Sequence, residues 1–272
     1  MRSLWLALGV LAAALGCAAA SAAASAENQL SAEVASLHGA LTGPAGALTV
    51  RLAEGLRAYE GLNDYRAHFY KQERAEERLG PREKIFLKFE KPFTIYLGWL
   101  NTHKKGLQVL YARDRHDGKL AIHKPGLFLG LAPVVFLSQD SPWVREGSAS
   151  YDIEDAGIGT FLFDLTRAVV RAARQRQLRV LPAGDPDGRN FDIRFEGFRE
   201  DDPDYFAYRV RVNFDESSAL PTRMILFDRR NRPTGIYSYE DLRLDVGRSD
   251  EEFRRQIDRH LYRVYEDTEE RA

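Results

Sequence analysis

From Tyr65 onward, apolar side chains recur at every second position, and this period of two constrains the fold more than any other feature of the chain. In residues 65–73, Tyr65, Ala67 and Phe69 share one face, while Arg66, His68, Tyr70 and Gln72 share the other. Residues 83–90 repeat the pattern, with Ile85, Leu87 and Phe89 opposite Lys84, Phe86 and Lys88. Residues 191–198 set Phe191, Ile193 and Phe195 against Asp192, Arg194 and Glu196. Residues 205–214 set Phe206, Tyr208, Val210, Val212 and Phe214 against Arg209, Arg211 and Asn213. Successive strand side chains point to opposite faces, so each segment offers one face to a core and one to water, as antiparallel sheets do.

Apolar runs at 93–100, 107–112, 119–123, 178–181, 220–227 and 235–244 read as further strands. Gly80-Pro81, Lys91-Pro92, the cluster at 182–188 and Asn231-Arg232-Pro233 punctuate them. Asp117-Gly118 predicts a tight hairpin, because both residues tolerate positive φ. Residues 128–137 form an apolar stretch broken by Pro133, with a polar loop after it. Helical spacing appears at Leu52, Leu56 and Tyr59, which predict a helix over 49–60 that Gly61 ends. The clearest helix covers 155–175. Ile158, Phe161, Leu162, Leu165, Val169 and Ala172 form its apolar stripe, and Arg167, Arg171, Arg174 and Arg176 crowd its C-terminal part, where cations suit the dipole. Ser249 and Glu252 make a capping box before a last helix carrying Phe253, Ile257 and Leu261. Residues 27–48 predict a weakly structured lead or a short helix, and 266–272 a charged tail. The expectation is an α+β fold: one domain over 49–265, built as a curved antiparallel half-barrel sheet with two or three helices on its concave side.

The first 26 residues have the layout of a secretory signal, with Arg2, an apolar run from Leu4 to Leu15 and an Ala/Ser tract. The run is shorter than the roughly 20 residues that span a bilayer. Ala24-Ser25-Ala26 offers one cleavage site, which would release a soluble protein. Cys17, after Ala13-Ala14-Leu15-Gly16, offers a lipobox-like alternative, with Cys17 as a lipid anchor. Export makes nucleotide cofactors and chromosomal DNA poor partners and lipids or envelope proteins good ones. Charge agrees: 39 Lys+Arg less Arg2 leaves 38 against 40 Asp+Glu, so the mature chain is near neutral rather than basic, and no nucleic-acid partner is expected. Cys17 is the one cysteine, so burial rather than a disulfide holds the domain.

A series of motifs carries a resemblance. It comprises Tyr65-x-Ala67-x-Phe69-x-Lys71-x-Glu73, then Ile85-x-Leu87-Lys88-Phe89-x-Lys91-Pro92-Phe93-x-x-Tyr96-Leu97, Tyr111 with Asp117-Gly118-Lys119-Leu120, Ala156-Gly157-Ile158-Gly159, and Tyr237-x-Tyr239-x-Asp241-Leu242-x-Leu244. Over about residues 50–265 this resembles the DUF1571 family of exported bacterial proteins. The layout is in turn similar to lipoprotein-carrier folds of the LolA/LolB type, an unclosed half-barrel with helices on its open face. That similarity implies binding of a lipid or an acylated chain.

Chemistry-bearing patterns are sparse. Ser148 lacks the second glycine of a nucleophile elbow. The histidines show no metal-ligand spacing, and His116, His123 and Asp114 around Asp117-Gly118 read as polar hairpin tips. Gly157-x-Gly159 lacks dinucleotide-binding spacing and points to a close helix–sheet contact. No catalytic residue, cofactor or metal is expected. The expectation is a monomeric, non-enzymatic protein that holds a hydrophobic ligand. Its inward-facing lining is read from alternation as Phe69, Leu87, Phe89, Phe206, Tyr208 and Val210, with the helix at 155–175 as a plug. A closed-core envelope module that docks a membrane or envelope protein is the alternative, and an exported hydrolase is a third.

Overall fold

The computed structural model describes residues 29–75, 77–113, 116–124, 134–142, 144, 153–183, 188–202 and 205–247. The long alternating segments become the centre of a 12-stranded sheet. β1 (Asp64–Ala75) pairs with β3 (Glu83–Glu90) on one side and with β12 (Pro233–Leu244) on the other, all antiparallel. β2 (Arg78–Leu79) extends the turn after β1. Beyond β3 lie β4 (Thr94–Trp99), β5 (Gln108–Ala112), β6 (Leu120–His123) and β7 (Val135–Leu137). Beyond β12 lie β11 (Pro221–Phe227), β10 (Arg209–Phe214), β9 (Asn190–Phe195) and β8 (Leu178–Pro182). β7 and β8 form the two edges, so among the described residues the sheet is open.

Three helices cover one face: α1 at 29–38, α2 (Gly43–Gly61) and α3 (Ile158–Arg174). The sheet must bend around them. Arg51 of α2 donates to the Gly188 carbonyl between β8 and β9, while the Tyr59 ring sits against Phe89 of β3. Eight residues of helix span ~12 Å. In a flat sheet, β3 and β8 would stand six spacings apart in this strand order, or ~29 Å. Only a curved sheet lets both reach one short stretch of helix, with the helices on its concave side. One large core results, running from Leu30 to Tyr239, with a small separate cluster of Leu110 and Ala121.

Several expectations change. The lead at 27–48 is helical over 29–38 and again from Gly43. Leu30, Val34 and Leu37 form a buried i, i+4, i+7 stripe, and Glu33 pairs with Arg174 of α3 at 3.6 Å. The Asp117-Gly118 connection is not a two-residue hairpin: it sits in a short 3₁₀ turn within a longer loop between β5 and β6, although both residues do take positive φ. The strand expected over 205–214 begins at Arg209. The helix at 249–261, Cys17, Ser148 and the apolar run at 128–133 lie outside the described residues.

Candidate functional site

The concave face is built from cross-strand rows. One row runs Tyr65, Phe89, Ile95, Tyr111 across β1, β3, β4 and β5. The next runs Ala67, Leu87, Leu97, Val109, and the third runs Tyr239, Phe69, Ile85, Trp99. Aromatic packing ties them together. Tyr65 stacks on Phe89 at 5.1 Å, Phe89 meets Phe93 edge-on at 5.4 Å, and Phe69 stacks on Tyr239 at 4.9 Å. Rings at these separations add to what burial alone provides.

The N-terminus of α3 is seated on this floor. The first amides of a helix lack partners within it, and here phenols take them. Ile158 N–H donates to the Tyr65 hydroxyl at 3.0 Å, and Gly157 N–H donates to that of Tyr239. Burial, with the neighbouring phenol charges, pushes both hydroxyls well above their ordinary 10. The Ala156-Gly157-Ile158-Gly159 stretch permits the approach, as its glycines suggested. Gly157 has φ +130° and lies so close that a Cβ would stand 3.2 Å from the Tyr65 oxygen. A Cβ at Gly159 would fall within 2.5 Å of Tyr59 Cε2. The 3₁₀ turn Ile153–Asp155 pins the entry to the helix. Glu154 accepts from Tyr111 Oη at 2.6 Å and from Arg113 Nε at 3.2 Å. Desolvation, then the Glu154 bond, pushes the Tyr111 phenol up to about 12. Beyond the seat, Leu162, Leu165, Val169 and Ala172 are wholly buried.

At the other end of the concave face the rows turn charged. Lys71 lies opposite Glu83 on one side and Tyr237 on the other. Lys104, from the turn between β4 and β5, reaches Glu83 Oε1 at 2.8 Å, and Trp99 Nε1 donates to Oε2 at 2.9 Å. Lys71 pairs with Glu73 at 3.0 Å and stands 3.9 Å from Glu83, and Tyr237 donates to Glu73 at 3.1 Å. At 6% exposure Glu83 is the one buried charged residue among those described; the other buried polar side chains, Thr49 and Thr166, bond to carbonyls of their own helices. Desolvation alone would raise the Glu83 carboxyl. The bonds from Lys104 and Trp99 and the Lys71 charge outweigh it and hold the carboxyl below its ordinary value.

Of the lining read from alternation, Phe69, Leu87, Phe89 and Val210 are buried in the large core. Phe206 and Tyr208 are half-buried and pack against the same core. Ahead of β10 it is Tyr205 and Ala207 that are buried, because Tyr205 N–H bonds to Asp202 and its ring lies under Arg171. Phe206 packs edge-on against Phe161 of α3 at 5.8 Å, and Tyr208 against Phe198 at 6.1 Å. Sequence reasoning missed the charged row. The usable signal was the continuation of the inward register of β1, Tyr65, Ala67, Phe69, into Lys71 and Glu73. Among the described residues no three His, Cys, Asp or Glu are grouped to hold a metal. No described helix is long and apolar enough to cross a membrane.

An open antiparallel sheet curled around an amphipathic helix is a half-barrel. The sequence profile of the family described as "Protein of unknown function (DUF1571)" matches residues 62–262, and the chain belongs to that family. No curated protein matches the sequence. Among solved structures, an outer membrane lipoprotein-sorting protein domain from Vibrio parahaemolyticus is similar at 12% identity. The match covers 78% of this chain and 97% of that one, with a TM-score of 0.37. A LolA superfamily protein from Nitrosomonas europaea is similar at 8% identity, over 72% and 92% of the two chains, with a TM-score of 0.33. The Pseudomonas aeruginosa MucA/MucB complex contributes a match at 15% identity and a TM-score of 0.36, over 77% of this chain and 59% of that one.

Proposed function

We propose that this is an exported, non-enzymatic protein that holds an amphiphile, a lipid or an acylated chain, on the concave face of its half-barrel. The observation that carries the reading is the in-register change along that face, from apolar rows to the charged row of Lys71 and Glu83. A chain would lie over Phe69, Leu87 and Phe89 with its polar head toward Lys71, Lys104 and Glu83. Val210 belongs to the same floor, Phe206 lies against Phe161 of α3, and Tyr208 lies beside Phe198. The signal-like first 26 residues support export, with Cys17 as an anchor if it is lipidated.

α3 is the plug in this reading, and magnitudes decide whether it can move. Its own Ile158, Leu162, Leu165, Val169 and Val170 are buried. At ~1.5–3 kcal/mol each, lifting them off the sheet costs about 7–15 kcal/mol. A sixteen-carbon chain taking their place returns about 12 kcal/mol, at ~0.8 kcal/mol per CH₂. Exchange of helix for ligand is therefore close to balanced, as a reversible holder requires. The test is displacement of a fluorescent sixteen-carbon acyl probe by hexadecanol, hexadecanoate and lysophosphatidylethanolamine. All three should compete through the chain, and Lys71→Ala with Lys104→Ala should change their rank order. A probe that never binds would sink the proposal. The complete burial of Leu87, Leu162 and Val210 favours one second reading, a closed-core envelope module that docks a protein partner, and in that case the probe does not bind.

A further inference from the structure

The face of the sheet turned away from the helices carries a row of arginines. Arg179, Arg194 and Arg209 are direct cross-strand neighbours on β8, β9 and β10. Arg211 and Arg223 follow on the adjoining rows of β10 and β11. Asp192 binds Arg209 through two bonds of 2.6 Å and Arg211 at 3.1 Å, and Glu196 takes Arg179 at 3.0 Å. Two carboxylates thus meet five arginines, and Arg194 and Arg223 stand exposed. The chain as a whole is near neutral, at −1, so this excess is a property of the face and not of the composition. Like charges directly opposed across strands destabilise a sheet, and an anion laid on the row removes that repulsion.

The same outer face carries further cations farther along, with rings set between them and with Glu240 paired to Arg82 at 3.1 Å and Asp241 to His68 at 2.9 Å. Arg82 lies 4.2 Å from the centre of the Tyr70 ring, and Lys84 5.6 Å from it. Lys88 stands over Phe86 at 5.4 Å and over Tyr96 at 6.0 Å. Beside the arginine row runs a groove of about 470 Å³ lined by Leu181, Ala183, Asn190, Asp192 and Arg211, and Leu181 is 56% exposed at the sheet edge.

We infer that this outer face docks on the phosphate head groups of an anionic lipid bilayer. Followed around the curve from β8 to β4, the surface that carries these cations crosses seven strand spacings, or ~33 Å of arc. That is too broad for one small anion. Interleaved cations and aromatic rings suit a bilayer surface, where rings and long cationic stems sit at head-group level. The inner face takes no part, so the inference stands apart from the ligand reading above.

The test is co-sedimentation of the full chain with vesicles of phosphatidylethanolamine containing about a third phosphatidylglycerol, against vesicles of phosphatidylcholine alone. The protein should bind the anionic vesicles and lose them as salt rises. Each basic residue near such a surface is worth about fivefold in affinity. The double variant Arg179→Glu with Arg194→Glu should therefore weaken binding by about 25-fold or more. Its thermal unfolding should stay close to that of the parent, because both side chains are solvent-exposed. The milder Arg194→Gln with Arg223→Gln guards against misfolding and should weaken binding by a smaller factor in the same direction. Equal binding to both vesicle types, binding indifferent to salt, or binding untouched by either double variant overturns the inference. So does capture of soluble polyglutamate with no capture of anionic vesicles, which would assign the face to an acidic polymer.

Discussion

Replacing Gly159 with alanine tests how tightly α3 is seated. On helix propensity alone the change is favourable, by about 1 kcal/mol within a helix. The structure reverses the sign. The new Cβ would fall within 2.5 Å of Tyr59 Cε2 and closer still to Cζ and Oη. The Tyr59 ring cannot swing away freely, because it is buried, edge-on to Phe163 at 5.4 Å and tilted against Phe89 at 6.4 Å. Overpacking of this kind costs about 1–3 kcal/mol. Taking the upper part of that range for a Cβ fixed by backbone, less the helix gain, leaves a net loss of ~1–2 kcal/mol. For a domain of this size each kcal/mol moves Tm by about 2–4 °C, so the expected drop is ~2–8 °C by far-UV circular dichroism. A double-mutant cycle assigns the cause. In a Tyr59→Ala background, Gly159→Ala should become neutral or stabilising, with a coupling of about 1 kcal/mol or more. A Gly159→Ala protein as stable as the parent, or more stable, refutes the argument that α3 sits directly on this ring. If α3 is also the plug, the variant should take up an apolar dye faster than the parent.

Two further outcomes concern pH. Glu83 is held below its ordinary 4.5, so its contribution is in place above that value and is lost as pH falls through the lowered one. Glu83→Gln should flatten the fall of Tm below about pH 4.5, and only in part, because Asp192 and Asp215 are lowered as well. An unchanged acid slope would remove Glu83 from the account. Tyr65 and Tyr239 are raised, so their contribution is present below pH 10 and lost above it. Ultraviolet titration of phenolate should show Tyr65 and Tyr239 silent until the protein unfolds in alkali, with Tyr111 and Tyr96 also late, and Tyr239→Phe should reduce the silent count by one. Free titration of every tyrosine near pH 10 would contradict the seat described for α3.

The parts legible in the sequence were those whose signal is local. Strict alternation at Tyr65–Phe69 and Ile85–Phe89 placed β1 and β3 because one face is buried along the whole segment. The stripe from Ile158 to Ala172 placed α3 for the same reason at helical spacing. Gly157 and Gly159 pointed to close helix–sheet contact; Gly157 makes it, against Tyr65 of β1, whereas Gly159 lies against Tyr59 of α2, a helix–helix contact. Three features were obscured. Helix α1 hides its three-residue stripe in an Ala/Ser-rich stretch with little contrast. At 205–208 the alternation continues in sequence while the backbone does not, because Tyr205 is held by Asp202 and Arg171 before the strand begins. The charged row needs register: Lys71, Glu83, Trp99 and Lys104 lie on three separate pieces of chain, and each alone is an ordinary strand or turn residue.

The most direct measurement is mass spectrometry of the mature protein purified from its native envelope, first under native and then under denaturing conditions. The account predicts a mass excess in the native spectrum that disappears on denaturation, at the mass of an acylated amphiphile. An increment surviving denaturation, with Cys17 at the new N-terminus, would report an anchor and leave the ligand claim to the native spectrum. A native spectrum of the polypeptide alone, from a protein that also refuses the acyl probe, would contradict the proposal that the half-barrel holds a lipid.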